Sequence, residues 1–310
     1  MPRWLLAPLL AAALVTATVS PPAEAAVPKV VASIKPIHSL IAGVMAGVGE
    51  PALVVTGGSS PHLYTLRPSD AKRIEEADIV FWIGPILEGF LVKPLASLGD
   101  RAEIVELDRA PEIALLPARE GGAWEADEDA RDHAGALEQD GHLWLDPENA
   151  RAIVRVAVAR LSARDPENAA RYAANGAALE QRLILLDAEL RQRVAAVRAV
   201  PFVVFHDAYQ YLERRYGLAA LGSITVSPEH PPGARRIQAI RDKVTRAGAR
   251  CVFSEPQFEP RLVQTVIAGT RANTAVLDPE GAALPRGPDL YFTLMRDLAD
   301  ALAGCLARPS

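Results

Sequence analysis

The sequence predicts an α/β protein of two lobes, each built on a four-stranded, mainly parallel sheet, with one long helix joining them. Three observations predict it. Short apolar runs alternate with helical patterns, the signature of βα units feeding a parallel sheet. The runs fall into two sets of four, and a single long stretch of helical periodicity separates the sets. With 310 residues, of which 50% are hydrophobic, the chain can bury two cores of ordinary size.

In chain order, residues 1–25 read as a secretory signal: Arg3 precedes an apolar run over 5–15, and Ala23 and Ala25 form an A-x-A cleavage site. No cysteine follows, so no lipid anchor is expected. The first lobe, 26–165, holds the strand candidates "KVVASI" (29–34), "ALVV" (52–55), "DIVFWIG" (78–84) and "AEIVEL" (102–107). A helix begins at "DPENA", where Asp146 can cap and Pro147 can occupy the first turn. The linking helix, 166–198, carries Leu179, Leu183, Leu186, Leu190, Val194 and Val197 at spacings of four and three, which places them on one face. The second lobe, 199–310, holds "PFVVF" (201–205), "LAALGSI" (218–224), "ARCVFSE" (249–255) and "TAVLD" (274–278).

Charge narrows the class of partner. The net charge is −5, yet residues 120–140 alone hold eight acidic side chains against Arg131, so the rest of the chain is slightly positive. No basic stripe with interleaved aromatics is present, which argues against nucleic acid as a partner. The two cysteines, Cys251 and Cys305, are free to pair in an oxidising compartment; two buried thiols are the alternative.

Three of the six histidines share a setting. His62 lies in the loop after "ALVV", His142 opens "HLWLDPENA" just before a helix, and His206 follows "PFVVF" directly. Ligands of open parallel sheets bind beyond the carboxyl ends of the strands, where Asp278, closing "TAVLD", also falls. Three imidazoles and a carboxylate make a tetrahedral zinc site with bonds of about 2.0 to 2.2 Å. Copper and nickel accept such ligands too. His38, within "IKPIHSLI", is read as structural, His230 as a surface or rim residue, and Glu255 as a strand-end acid that either caps a helix or hydrogen-bonds behind the site, with Glu229 similar.

The segments "SSPHLYTLRPSD", "GHLWLDPENA", "FHDAYQYLERRYGL", "ITVSPEHPPGARRIQAIRDKV", "CVFSEPQF" and "AVLDPEG" resemble, in this order and over the whole mature chain, the motifs of the zinc-specific solute-binding proteins of bacterial ABC transporters, the ZnuA-like group. The resemblance implies two Rossmann-like lobes bridged by a rigid backbone helix, with Zn2+ held in the cleft between them by His62, His142 and His206. Asp278 or water would complete the site. It implies a binding protein rather than an enzyme, a periplasmic location, and a membrane permease as the partner to which the metal is delivered. A periplasmic metallochaperone is a further expected partner, and a monomer the expected state. Cys251 and Cys305 match a disulfide pair of part of that group.

Relatives that carry manganese or iron generally place a glutamate where this chain has His206, so that position separates the zinc reading from a manganese or iron carrier of the same fold. A secreted zinc hydrolase is the rival from another class; no H-E-x-x-H pattern supports it. One departure from the group stands out. Its members commonly carry a long histidine-rich loop before the second ligand, whereas residues 118–141 here hold only His133 and are mainly acidic. His133, Asp127, Glu128 and Asp129 are therefore candidates for an auxiliary metal site, with a solvated loop as the equal alternative.

Overall fold

The computed structural model describes residues 27–119, 139–226, 228 and 232–309. The first lobe contains β1 (Val30–Ala32), α1 (Lys35–Val44), β2 (Ala52–Leu53), α2 (Pro68–Glu75), β3 (Ile79–Trp82), α3 (Val92–Ala96), β4 (Glu103–Glu106) and α4 (Pro147–Arg164). The linking helix α5 (Ala169–Val194) leads to β5 (Phe202–His206), α6 (Gln210–Tyr216), β6 (Ala220–Thr225), α7 (Ala234–Arg246), β7 (Cys251–Ser254), α8 (Arg261–Ile267), β8 (Asn273–Val276) and α9 (Leu290–Leu306). Each apolar run of the sequence coincides with one strand to within two residues at its ends.

Both sheets are parallel throughout and share one strand order, β2-β1-β3-β4 and β6-β5-β7-β8. The chain starts on an inner strand, moves to one side and then crosses to the other. This creates a switch point between β1 and β3 in the first lobe and between β5 and β7 in the second.

Strand parity then decides which side chains reach the space between the lobes. On β5, Phe202 and Val204 join the main core, whereas Val203 and Phe205 enter a smaller cluster with Ile240 and Val244 of α7. His206 is next on the Phe202–Val204 face, because successive strand residues alternate sides. Glu255, one residue past β7, falls in the same way on the face of Cys251 and Phe253.

The linking helix buries Leu179, Leu183, Leu186, Leu190 and Val194, the face read from its periodicity. It ends at Val194 instead of running to 198. Ala195 and Val197 bond to carbonyls three residues back, which tightens the last turn, and Val197 stays buried there. The helix packs on α1 and α4 of the first lobe and α9 of the second, and one apolar cluster runs through all of them. Gly176 permits the approach of α4, since a Cβ there would sit 2.4 Å from Val158 Cγ2. Among the described residues, no helix is long and apolar enough to cross a membrane.

Cys251 and Cys305 are bonded, tying the start of β7 to the last turns of α9. The bridge closes a loop of 54 residues in sequence separation, worth about 4 kcal/mol on the chain-entropy argument. Replacing both cysteines by serine is expected to lower the urea midpoint accordingly, read by circular dichroism.

Candidate metal centre

His62 occupies the middle of a single 3-10 turn, Pro61–Leu63, entered from Gly57 and Gly58, both at positive φ. Pro61 sets the first dihedral of the turn and Ser60 Oγ accepts from the His62 N–H at 3.3 Å. Downstream, the Tyr64 hydroxyl donates to Asp70 Oδ2 at 2.8 Å, and Asp70 also accepts from Arg67 N at the start of α2. The turn is thus pinned on both sides.

His142 follows Asp140 and Gly141 at the entry to the 3-10 turn Leu143–Leu145. Asp140 Oδ1 accepts from His142 N at 2.9 Å and from His142 Nδ1 at 2.8 Å, fixing backbone and ring with one oxygen. Gly141 is closely packed: a Cβ there would lie 3.2 Å from atoms of Ile86 and Leu87, which would have to shift slightly. His206 ends β5, and its Nδ1 donates to Glu255 at 2.7 Å across the switch point.

These segments bring the three imidazoles together. His62 Nε2 and His206 Nε2 each lie 3.2 Å from His142 Nε2, and one ligand atom from each residue lies within 4.8 Å of the others. A tetrahedral ion about 2.0 Å from each nitrogen would separate them by about 3.3 Å. The donor chemistry agrees with the spacing. With both Nδ1–H groups committed to carboxylates, His142 and His206 present Nε2 lone pairs to each other, and facing lone pairs repel unless a cation lies between them. His142 and His206 are buried and His62 is partly exposed, so the cluster opens to solvent on the His62 side. Burial, then the neighbouring His142 and His206, hold the His62 pKa well below the ordinary imidazole value.

Asp278 is not in this cluster. Its Oδ1 accepts from Gln257 Nε2, Glu280 N and Gly281 N, and its Oδ2 from Ala282 N, so the carboxylate staples the turn that follows β8. The segment crosses toward the first lobe, where Trp144 Nε1 donates to Pro279 O at 2.8 Å. Trp144 lies 5.5 Å from the His142 ring. Glu280 is buried on this segment; burial and then the charges of Asp278, Glu255 and Glu88 push its pKa well up, against Lys35.

His38 is buried in α1 with Nε2 at 2.9 Å from Pro51 O, a structural setting. His133, Asp127, Glu128, Asp129, Glu229 and His230 lie outside the described residues, as does the expected signal at 1–25. The root of the acidic segment is described. Pro117 pairs with Gln139, Tyr211 OH donates to Asp140 O and accepts from Leu116 N, and Arg119 bridges Asp207 and Glu213 of the second lobe.

Sequence reasoning missed Asp140, Lys35 and Glu280. For Asp140 a signal existed: an aspartate two residues before a histidine can bond both its N–H and its Nδ1.

Fold and site together define a two-lobed protein with a metal-sized cluster of imidazoles in its cleft. The sequence model of the ZnuA family, "Zinc-uptake complex component A periplasmic", matches residues 30–305, and the chain belongs to that family. It is 47% identical to the high-affinity zinc uptake system protein ZnuA of Brucella suis biovar 1, over 90% of this chain and 92% of that one. It is 36% identical to the protein of that name from Paracoccus denitrificans, over 96% and 97%. Among solved structures, the laminin-binding protein of Streptococcus agalactiae superposes with a TM-score of 0.76 at 24% identity, over 90% of this chain and 99% of that one. A crystal structure of ZnuA superposes with a TM-score of 0.75 at 22% identity, over 91% and 100%. Both share the fold.

The lowered His62 pKa carries a sign. Below about pH 6.5 the unfolded chain takes up a proton that the folded ring refuses. Metal-free protein is therefore expected to lose stability as pH falls below about 6.5 toward the His62 value, and His62→Asn to lose less, measured as urea midpoints between pH 7.5 and 5.

Proposed function

We propose that the protein is the periplasmic zinc-binding component of an ABC importer, capturing Zn2+ with His62, His142 and His206 and delivering it to a membrane permease. The observation that carries this reading is the meeting of three imidazole nitrogens, 3.2 Å apart along two edges, with a carboxylate behind two of them. His62 and His142 come from the first lobe and His206 from the second, so the metal joins the lobes. Water takes the fourth position, because the Asp278 carboxylate already accepts four N–H groups. His206 as a nitrogen donor selects zinc over manganese and iron, which favour more oxygen. The protein binds and hands over its ion without chemical turnover.

Metal analysis of protein purified without added metal should find one equivalent of zinc, lost in His206→Ala. Zinc absent from the wild type, or retained in the variant, would overturn the assignment, and hydrolysis of ester, peptide or phosphate substrates by loaded protein would replace it with an enzyme. Competition between zinc and manganese tests selectivity directly. Asp140→Asn and Glu255→Gln are each expected to weaken zinc binding by about 10- to 100-fold through the orientation of His142 and His206, measured against a chromogenic chelator.

A further inference from the structure

Lys35 is the first residue of α1, three positions beyond the end of β1 and at the switch point of the first sheet. It is only 6% exposed. All three protons of its ammonium are used, and all on the other lobe: Nζ donates to Gly281 O at 3.0 Å, Ala282 O at 2.7 Å and Leu284 O at 2.9 Å. Those carbonyls belong to the segment whose amides Asp278 staples from within and whose Pro279 carbonyl Trp144 holds. The ammonium therefore grips the outer side of a turn that already has an inner fastening.

The loop that carries His62 meets the same point. A Cβ on Gly57 would stand 2.8 Å from Ala282 O and 2.9 Å from Lys35 Nζ, so the glycine backbone presses directly on the junction. Two loops, one bearing His62 and the other bearing Asp278 and Glu280, thus abut a single buried cation. Burial disfavours its charge and holds its pKa below the ordinary lysine value, while the nearby Asp278 and Glu280 favour the charged form. A buried ammonium is costly to desolvate, and three carbonyls of one short turn hold it where a solvated lysine could hold nothing.

We propose that Lys35 is a positioning residue for the metal site, setting the carboxylate-bearing turn of the second lobe in register with the His62 loop of the first. This rests on the zinc-binding reading. Lys35 touches none of the three imidazoles and acts through the turn after β8. Its removal is therefore expected to alter the geometry and field around the ion while leaving the donor set intact.

The test compares wild type, Lys35→Met and Asp278→Asn, full length and loaded in turn with zinc and with cobalt(II). Zinc affinity of Lys35→Met is expected to fall by about 10- to 100-fold, and its cobalt absorption bands to depart from those of the wild type toward those of Asp278→Asn. If Lys35→Met does not fold, Lys35→Gln, which keeps an amide donor, is expected to bind zinc more weakly than the wild type, with its cobalt bands displaced toward those of Asp278→Asn. A folded variant whose cobalt spectrum matches the wild type overturns the proposal, whatever its melting temperature. A wild type that binds no zinc overturns the functional reading itself, so the two failures are distinguishable.

Discussion

Everything in this cleft depends on keeping imidazole lone pairs pointed at one another. Such an arrangement is repulsive in the absence of a cation, and flexible side chains would relax out of it. The carboxylates of Asp140 and Glu255 oppose that relaxation by accepting hydrogen bonds from the Nδ1–H groups of His142 and His206, which settles tautomer and ring plane together. His62 has no such partner among the described contacts and relies on a pinned turn instead. Two donors are thus held by side chains and the third by backbone.

The scaffold meets this demand by refusing to hinge freely. The lobes share α5, and α1 and α9 also pack directly, so the apolar core continues from one sheet to the other. Polar fastenings reinforce it at the seam: Trp144 to Pro279, Tyr291 OH to Trp144 O at 2.8 Å, Tyr291 N to Ser39 Oγ at 3.0 Å, and Lys35 to the turn after β8. Opening the lobes widely would expose that core and break these bonds at once.

Much of this was legible in the sequence, for identifiable reasons. Interior parallel strands are continuous apolar runs, so "DIVFWIG" and "PFVVF" announce themselves, and the topology places the residues just beyond such strands at the ligand-binding edge. His206, directly after "PFVVF", and His62, in the loop after "ALVV", are picked out by that route, whereas His142 stands out by its place just before a helix. The staple role of Asp278 was hidden because its partners are the amides of the next turn, and a terminal aspartate reads alike as ligand or turn former. Asp140 was submerged among seven other acids of the 120–140 segment. Lys35 could not be read at all: its partners lie 246 or more residues away, and no periodicity reports such a contact.

The root beside the cleft has a consequence for how this chain can vary. Pro117 and Gln139 are paired, and Leu116, Arg119 and Asp140 are fastened to the second lobe on either side of that pairing. With both ends anchored, each doubling of the intervening length adds only about 0.6 kcal/mol of closure entropy. Selection is therefore free to lengthen, shorten or recharge the insert between them at little thermodynamic cost to the imidazoles. The acidic run over 120–138 is then a payload carried on a mount that sets no demand on its composition.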